Sequence, residues 1–174
     1  MKKVLIVLAV VLFTVGFASE VSAQIKLTDN TAGGEILTPI SLTRGTQLEF
    51  GKLAVLAGGG SVSISADGAN TVTKSDDVTL VPGVSRTAAT YTVQGNVGSN
   101  YSISAPTSII VTNGTDFMTI VTSVLSASTT SSDGGTLNAT TGSDNFYIGG
   151  TLTIDPGQAS GSYSKTFDVT VNYN

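Results

Sequence analysis

The sequence predicts an all-β domain of two packed antiparallel sheets, with about eight to ten strands. Three observations predict it. Apolar residues recur with period two in short segments bounded by Gly, Asn, Pro or Asp. No segment after Ala23 keeps apolar residues at i, i+3, i+4 and i+7 over three turns, which disfavours helical bundles and α/β folds. Thr, Ser, Val and Gly dominate while charged residues make up only 11% of the chain, a composition suited to strands and turns. Many short strands without helical crossovers favour a sandwich, with a barrel as the second choice.

The chain opens Met1-Lys2-Lys3, runs apolar from Val4 to Phe17 with only Thr14 and Gly16 interrupting, and reaches Ala18-Ser19-Glu20-Val21-Ser22-Ala23. A basic start, a short apolar run and small residues at a cleavage point form the layout of a secretory signal peptide, residues 1–23. The run falls short of the roughly 20 residues a membrane-spanning helix needs. Cleavage before Gln24 is expected to leave residues 24–174 as one domain, exported to the periplasm, the outer cell surface or the medium, with no integral membrane segment. No cysteine is present to carry a lipid and no apolar tail precedes Asn174, so attachment to a cell is expected to be non-covalent. Cleavage removes Lys2, Lys3 and Glu20, taking the net charge from −4 to −5. The remaining cations are scattered, so nucleic acid is not an expected partner. Without cysteine the domain depends on burial and strand pairing rather than disulfides.

Along the chain, Ile36, Ile40 and Leu42, then Leu48 and Phe50, suggest two strands. Val62 and Ile64 between serines, Val78 and Leu80 after Asp76-Asp77, Tyr91 and Val93 between threonines, and Tyr101 and Ile103 between serines each mark another. Phe117 to Leu125 is apolar on both faces and is expected to be a central strand covered on both sides. Ser126 to Thr141 is the most polar stretch and the expected site of greatest mobility. Phe146, Ile148, Leu152 and Ile154 alternate with Tyr147, Thr151 and Thr153. Tyr163, Phe167, Val169, Val171 and Tyr173 then share one face, with Lys165 the single charge in phase with them. With Asp155-Pro156-Gly157 between them, the last two segments read as a hairpin.

The chain has no histidine and no cysteine. Their absence removes the usual zinc and copper ligands, thiol nucleophiles and the Ser-His-Asp arrangement, so neither an enzyme nor a cofactor is expected. Carboxylate pairs and Ser-Lys pairs remain chemically possible, but no motif announces them. Asp76-Asp77, Asp133 and Asp144-Asn145 lack the spacing that gathers several ligands around calcium and read as turn formers. Asn113-Gly114-Thr115 and Asn138-Ala139-Thr140 match the glycosylation pattern and also read as turns. Most tyrosines fall in phase with aliphatic residues. Tyr147 instead falls on the polar phase beside Thr151 and Thr153, which makes it the candidate exposed contact, for example with a glycan.

Three segments carry a family likeness: Thr38-Pro39-Ile40-Ser41-Leu42-Thr43, Leu48-Glu49-Phe50-Gly51-Lys52-Leu53, and Gly149-Gly150-Thr151-Leu152-Thr153-Ile154 continuing through Gly161-Ser162-Tyr163 to Val169-Thr170-Val171-Asn172-Tyr173. In them the chain resembles a bacterial exported all-β family of unknown function, of the DUF4402 type. Its alternating C-terminal segment also resembles the last strand of Mat/Ecp-type fimbrial subunits and spore-coat-U-like secreted proteins. That likeness implies an immunoglobulin-like sandwich and a structural surface protein, fimbria-like or coat-forming, whose partners are copies of itself or related subunits. In such proteins an extended N-terminal strand completes the sheet of the next subunit. Gln24, Ile25, Lys26, Leu27 and Thr28 form the candidate assembly strand here, although closure of that strand onto its own domain is the competing arrangement. The cysteine pair common in chaperone-usher pilins is missing. A secreted module binding carbohydrate or matrix, and a free-standing periplasmic domain, are the alternatives.

Overall fold

The alternation through Phe146, Ile148, Leu152 and Ile154 forms the longest strand, and the fold is built around it. The computed structural model describes residue 29 and residues 31–174. The signal peptide and the candidate assembly strand Gln24 to Thr28 lie outside the described residues. The chain divides into Met1–Glu35 and Ile36–Asn174. In the first unit, Asp29 and residues 31–35 are exposed and carry no regular structure.

The described part of the second unit is all-β and holds twelve strands. They are β1 (Ser41–Arg44), β2 (Leu53–Val55), β3 (Gly60–Ile64), β4 (Val72–Lys74), β5 (Val78–Leu80), β6 (Ala89–Gln94), β7 (Asn100–Ser104), β8 (Ser108–Thr112), β9 (Phe117–Ser126), β10 (Gly134–Thr136), β11 (Ser143–Ile154) and β12 (Thr170–Tyr173). Every pairing is antiparallel. The three-residue strands β2, β4 and β10 bring the number above the eight to ten expected, because pieces this short carry little alternation; Val78 and Leu80 of β5 are the exception. Among the described residues no helix is long and apolar enough to cross a membrane.

One edge of β11 pairs with β9 over Phe146 to Thr153. The other edge is shared: its first half pairs with β6 and its second half with β3. Gly149 marks the changeover, where a Cβ would collide with the Ile64 carbonyl oxygen, so the close approach of β3 requires glycine. Adding β1 on β6, β4 on β3 and β8 on β9 completes a seven-stranded sheet. The opposing layer consists of β10-β7-β12 at one end and β2-β5 at the other.

Two apolar clusters fill the space between the layers. Tyr91, Val93, Tyr101, Leu137, Phe146 and Ile148 pack under β10-β7-β12, with Tyr91 and Phe146 stacked at 4.9 Å. Phe50, Val62, Ile64, Val78, Ile109, Ile120 and Leu152 are among those that pack under β2-β5. These residues alternate with solvent-facing Ser and Thr, as period-two burial requires.

Three expectations need correction. β11 and β12 do not form a hairpin, because Leu152 already pairs with Val62 on one side and Ile120 on the other. After the Asp155-Pro156-Gly157 turn the chain crosses to the opposite layer, where β12 pairs with β7. β9 is not covered on both sides: Ile120 is buried, but Phe117 and Val121 on its outward face are exposed. Its neighbour β8 is the edge of the sheet. Leu48 to Phe50 forms only the bridge Glu49 to Thr87, and the nearby strand is β2.

Candidate functional site

The inward face of β8, β9 and the second half of β11 forms an apolar floor. Pairing aligns Ile109 with Ile120 and Ile120 with Leu152, while Val111 stands opposite Met118. The alternation that points these residues inward is legible in the sequence. What lies over them is not. Two segments stand above the floor and leave a groove of about 1070 Å³ between them. One wall is Gln47 to Val55, including Phe50 and Leu53, and the other is Gln158 to Phe167, including Tyr163 and Phe167. Glu49, Lys52 and Lys165 also line the groove and are its only charged residues among the described residues.

The second wall has the side-chain pattern of a strand without the pairing of one. Ser164 exchanges backbone hydrogen bonds with Thr112 on β8, at 3.1 and 3.3 Å. Regular pairing begins again at Thr170, opposite Ser104. Among the described residues, 165–169 join no ladder, although Phe167 and Val169 keep the inward phase. Tyr163 anchors the wall locally: its hydroxyl donates to the Ala159 carbonyl at 2.8 Å and accepts from Gln158 Nε2 at 2.8 Å. The other wall is fixed by Arg86, whose guanidinium donates to the carbonyls of Lys52, Val81 and Val84 at 2.8 to 3.2 Å.

A second feature lies between the layers at the other end. Asp144, expected in a turn, sits in β11 and points inward with 8% exposure. Its Oδ2 accepts from Tyr101 at 2.8 Å, Ser126 at 3.0 Å and Ser128 at 2.6 Å. Three hydroxyls thus stabilise a buried carboxylate that has no cation beside it among the described residues. Burial first, and the carboxylate it faces second, push the Tyr101 hydroxyl well above the ordinary tyrosine pKa. The polar stretch expected to be mobile supplies Ser126 and Ser128 to this cluster and contains β10, while Leu137 is buried.

The remaining candidates are dispersed. Tyr147 does stand on the outward face of β11, between Thr90 and Leu125, but it is half-buried because the loop at Gly68 lies against its ring. Asp76 and Asp77 lie in the turn between β4 and β5. Asn113 and Asn138 each accept two backbone N–H bonds within turns, the role expected of them. Among the described residues, no three acidic side chains come together as a metal site would require.

The groove was missed because its floor and walls come from distant parts of the chain. No local sequence signal marks it: its floor reads as ordinary inward-facing core, and the surplus apolar residues of β9, Phe117 and Val121, lie on the opposite face. No curated protein and no solved structure matches the chain. The family described as Domain of unknown function (DUF4402) matches residues 40–173, covering every strand, and the chain belongs to that family.

Proposed function

We propose that this is an exported structural surface protein whose copies assemble by strand exchange, the Gln24 to Thr28 segment of one copy entering the apolar groove of the next. The protein acts by assembly rather than catalysis. The observation that carries the reading is the groove: an apolar floor of Ile109, Val111, Met118, Ile120 and Leu152, flanked by a wall whose backbone at 165–169 joins no ladder among the described residues. An inserted strand covers apolar surface and offers a ladder to backbone that joins none among the described residues.

Ile25 and Leu27 lie two apart, so both side chains of an extended segment face the floor. Burying them contributes about 1.5–3 kcal/mol each. That sum is modest against the cost of association, so stable assembly depends on the backbone ladder and on continuation of the contact along a polymer. Export follows from the signal-peptide layout of residues 1–23.

Deleting Gln24 to Thr28 is expected to abolish assemblies seen by electron microscopy while leaving a folded monomer. Because the chain has no cysteine, the pair Ile25→Cys and Met118→Cys can form a disulfide only between the introduced positions. Ladders of cross-linked multimers on non-reducing gels are the expected result. Unchanged assembly after the deletion, or exclusively intramolecular cross-linking, contradicts the proposal.

A further inference from the structure

On the side of the sheet opposite the groove floor, the outward-facing strand positions carry no charge. Pairing places Ser, Thr, Asn, Gln, Gly or apolar residues at these positions of β1, β3, β4, β6, β8, β9 and β11, together with the Tyr147 ring. The chain as a whole has twelve carboxylates and a net charge of −4. Strand positions without a cation on an acidic protein give a polyanion nothing to bind.

The face is not flat. A cleft of about 310 Å³ opens across β4, β3, β11 and β9, lined by Ser63, Ser65, Thr73, Val121, Ser123 and Thr151 among others. That volume is at the lower end of small-molecule sites, about 300 Å³. Ser63 and Thr151 hold their hydroxyls 2.7 Å apart across β3 and β11. Val121, 56% exposed, supplies an apolar wall. Beside the cleft, Ser65 donates to Asp67 Oδ1 at 2.6 Å, and the Ala69 N–H reaches the same oxygen at 2.9 Å. Those bonds, the Ser65 one first, hold the Asp67 carboxyl below its usual pKa, so it is an ionised acceptor at neutral pH. The next residue, Gly68, packs against the Tyr147 ring.

We infer that this cleft binds a neutral saccharide, such as a single ring of a polysaccharide. Clustered hydroxyls exchange hydrogen bonds with a hydroxyl-rich ligand, and the Asp67 carboxylate accepts the stronger, charge-assisted ones. Val121 meets the apolar face of the sugar. One shallow cleft gives weak affinity, and repeated engagement along a polymer, or by an assembly of copies, raises it. The inference is independent of strand exchange, since the cleft and the groove lie on opposite sides of the sheet.

Electrophoresis of the full chain through gels containing dextran, mannan, laminarin or xylan tests it, with sedimentation measured in parallel. At least one of these neutral polysaccharides is expected to retard the protein. Asp67→Asn and Thr151→Val should each weaken that retardation about tenfold, the effect of one lost hydrogen bond in such a site, while both variants keep the parent's circular-dichroism spectrum. Tyr147→Phe, which keeps the ring, should bind as the parent does. Absence of retardation by all four polymers overturns the inference, as does retardation that the Asp67 and Thr151 variants leave intact. Self-association that Thr151→Val abolishes also overturns it, because the face would then belong to a second copy.

Discussion

Tyr101 on β7 donates its hydroxyl to Asp144 on β11 at 2.8 Å, joining the two layers of the sandwich through a buried polar contact. Both residues are enclosed, and Ser126 and Ser128 complete the shell around the carboxylate. In a domain without disulfides, this cluster fixes β10-β7-β12 against the seven-stranded sheet at a defined position.

Replacing Asp144 with Ala leaves three hydroxyls without their shared acceptor. The expected loss is about 2–4 kcal/mol, since buried unsatisfied groups cost about 1–3 kcal/mol and bonds to charged groups contribute about 1.5–3 kcal/mol. Asp144→Asn keeps an acceptor and should lose less. Urea denaturation measures both, and a variant as stable as the parent would assign the cluster no role in stability.

Alkaline pH tests the same contact from the other side. The folded Tyr101 pKa is raised above its unfolded value, so its contribution is fully present below about pH 10, the unfolded pKa, and is lost as pH rises toward the folded one. Tyr91 is shifted in the same direction by burial, with Arg44 partly opposing it. Stability should therefore fall above about pH 10, and Tyr101→Phe should flatten that decline. An unchanged alkaline profile in the variant would show that Tyr101 does not drive it.

Gly149→Ala should destabilise the sheet by about 1–3 kcal/mol, the usual cost of forcing extra volume into a packed site. The added Cβ meets the Ile64 carbonyl oxygen of β3, a backbone atom that cannot turn aside. Thermal unfolding compares it with Gly157→Ala. At Gly157 nothing lies within 4 Å, but φ is +74°, so any cost there comes from backbone conformation alone.

How much of this was legible in the sequence depended on the range of the forces involved. Alternation at Tyr91-Val93, Tyr101-Ile103 and Phe146-Ile154 depends on nearest-neighbour geometry and identified β6, β7 and β11 directly. Partner choice is non-local, which is why β12 read as the hairpin mate of β11 although both edges of β11 were occupied. Asp144 looked like a turn residue because the hydroxyls that hydrogen-bond it come from β7 and from residues 126 and 128. The polar phase of Tyr147 placed it on the outward face correctly, while the loop that half-covers it lies some eighty positions earlier in the chain. The groove left no local trace, because its floor reads as ordinary inward-facing core.

The central claim is that the groove accepts a strand from another copy, and hydrogen exchange at residues 165–169 tests it most directly. Those amides join no ladder among the described residues, so they should exchange rapidly in the monomer lacking Gln24 to Thr28. They should become protected in assembled material, and also when a peptide of the Gln24 to Thr28 sequence is added to the truncated chain. Assemblies in which these amides remain as exposed as in the monomer would contradict strand exchange.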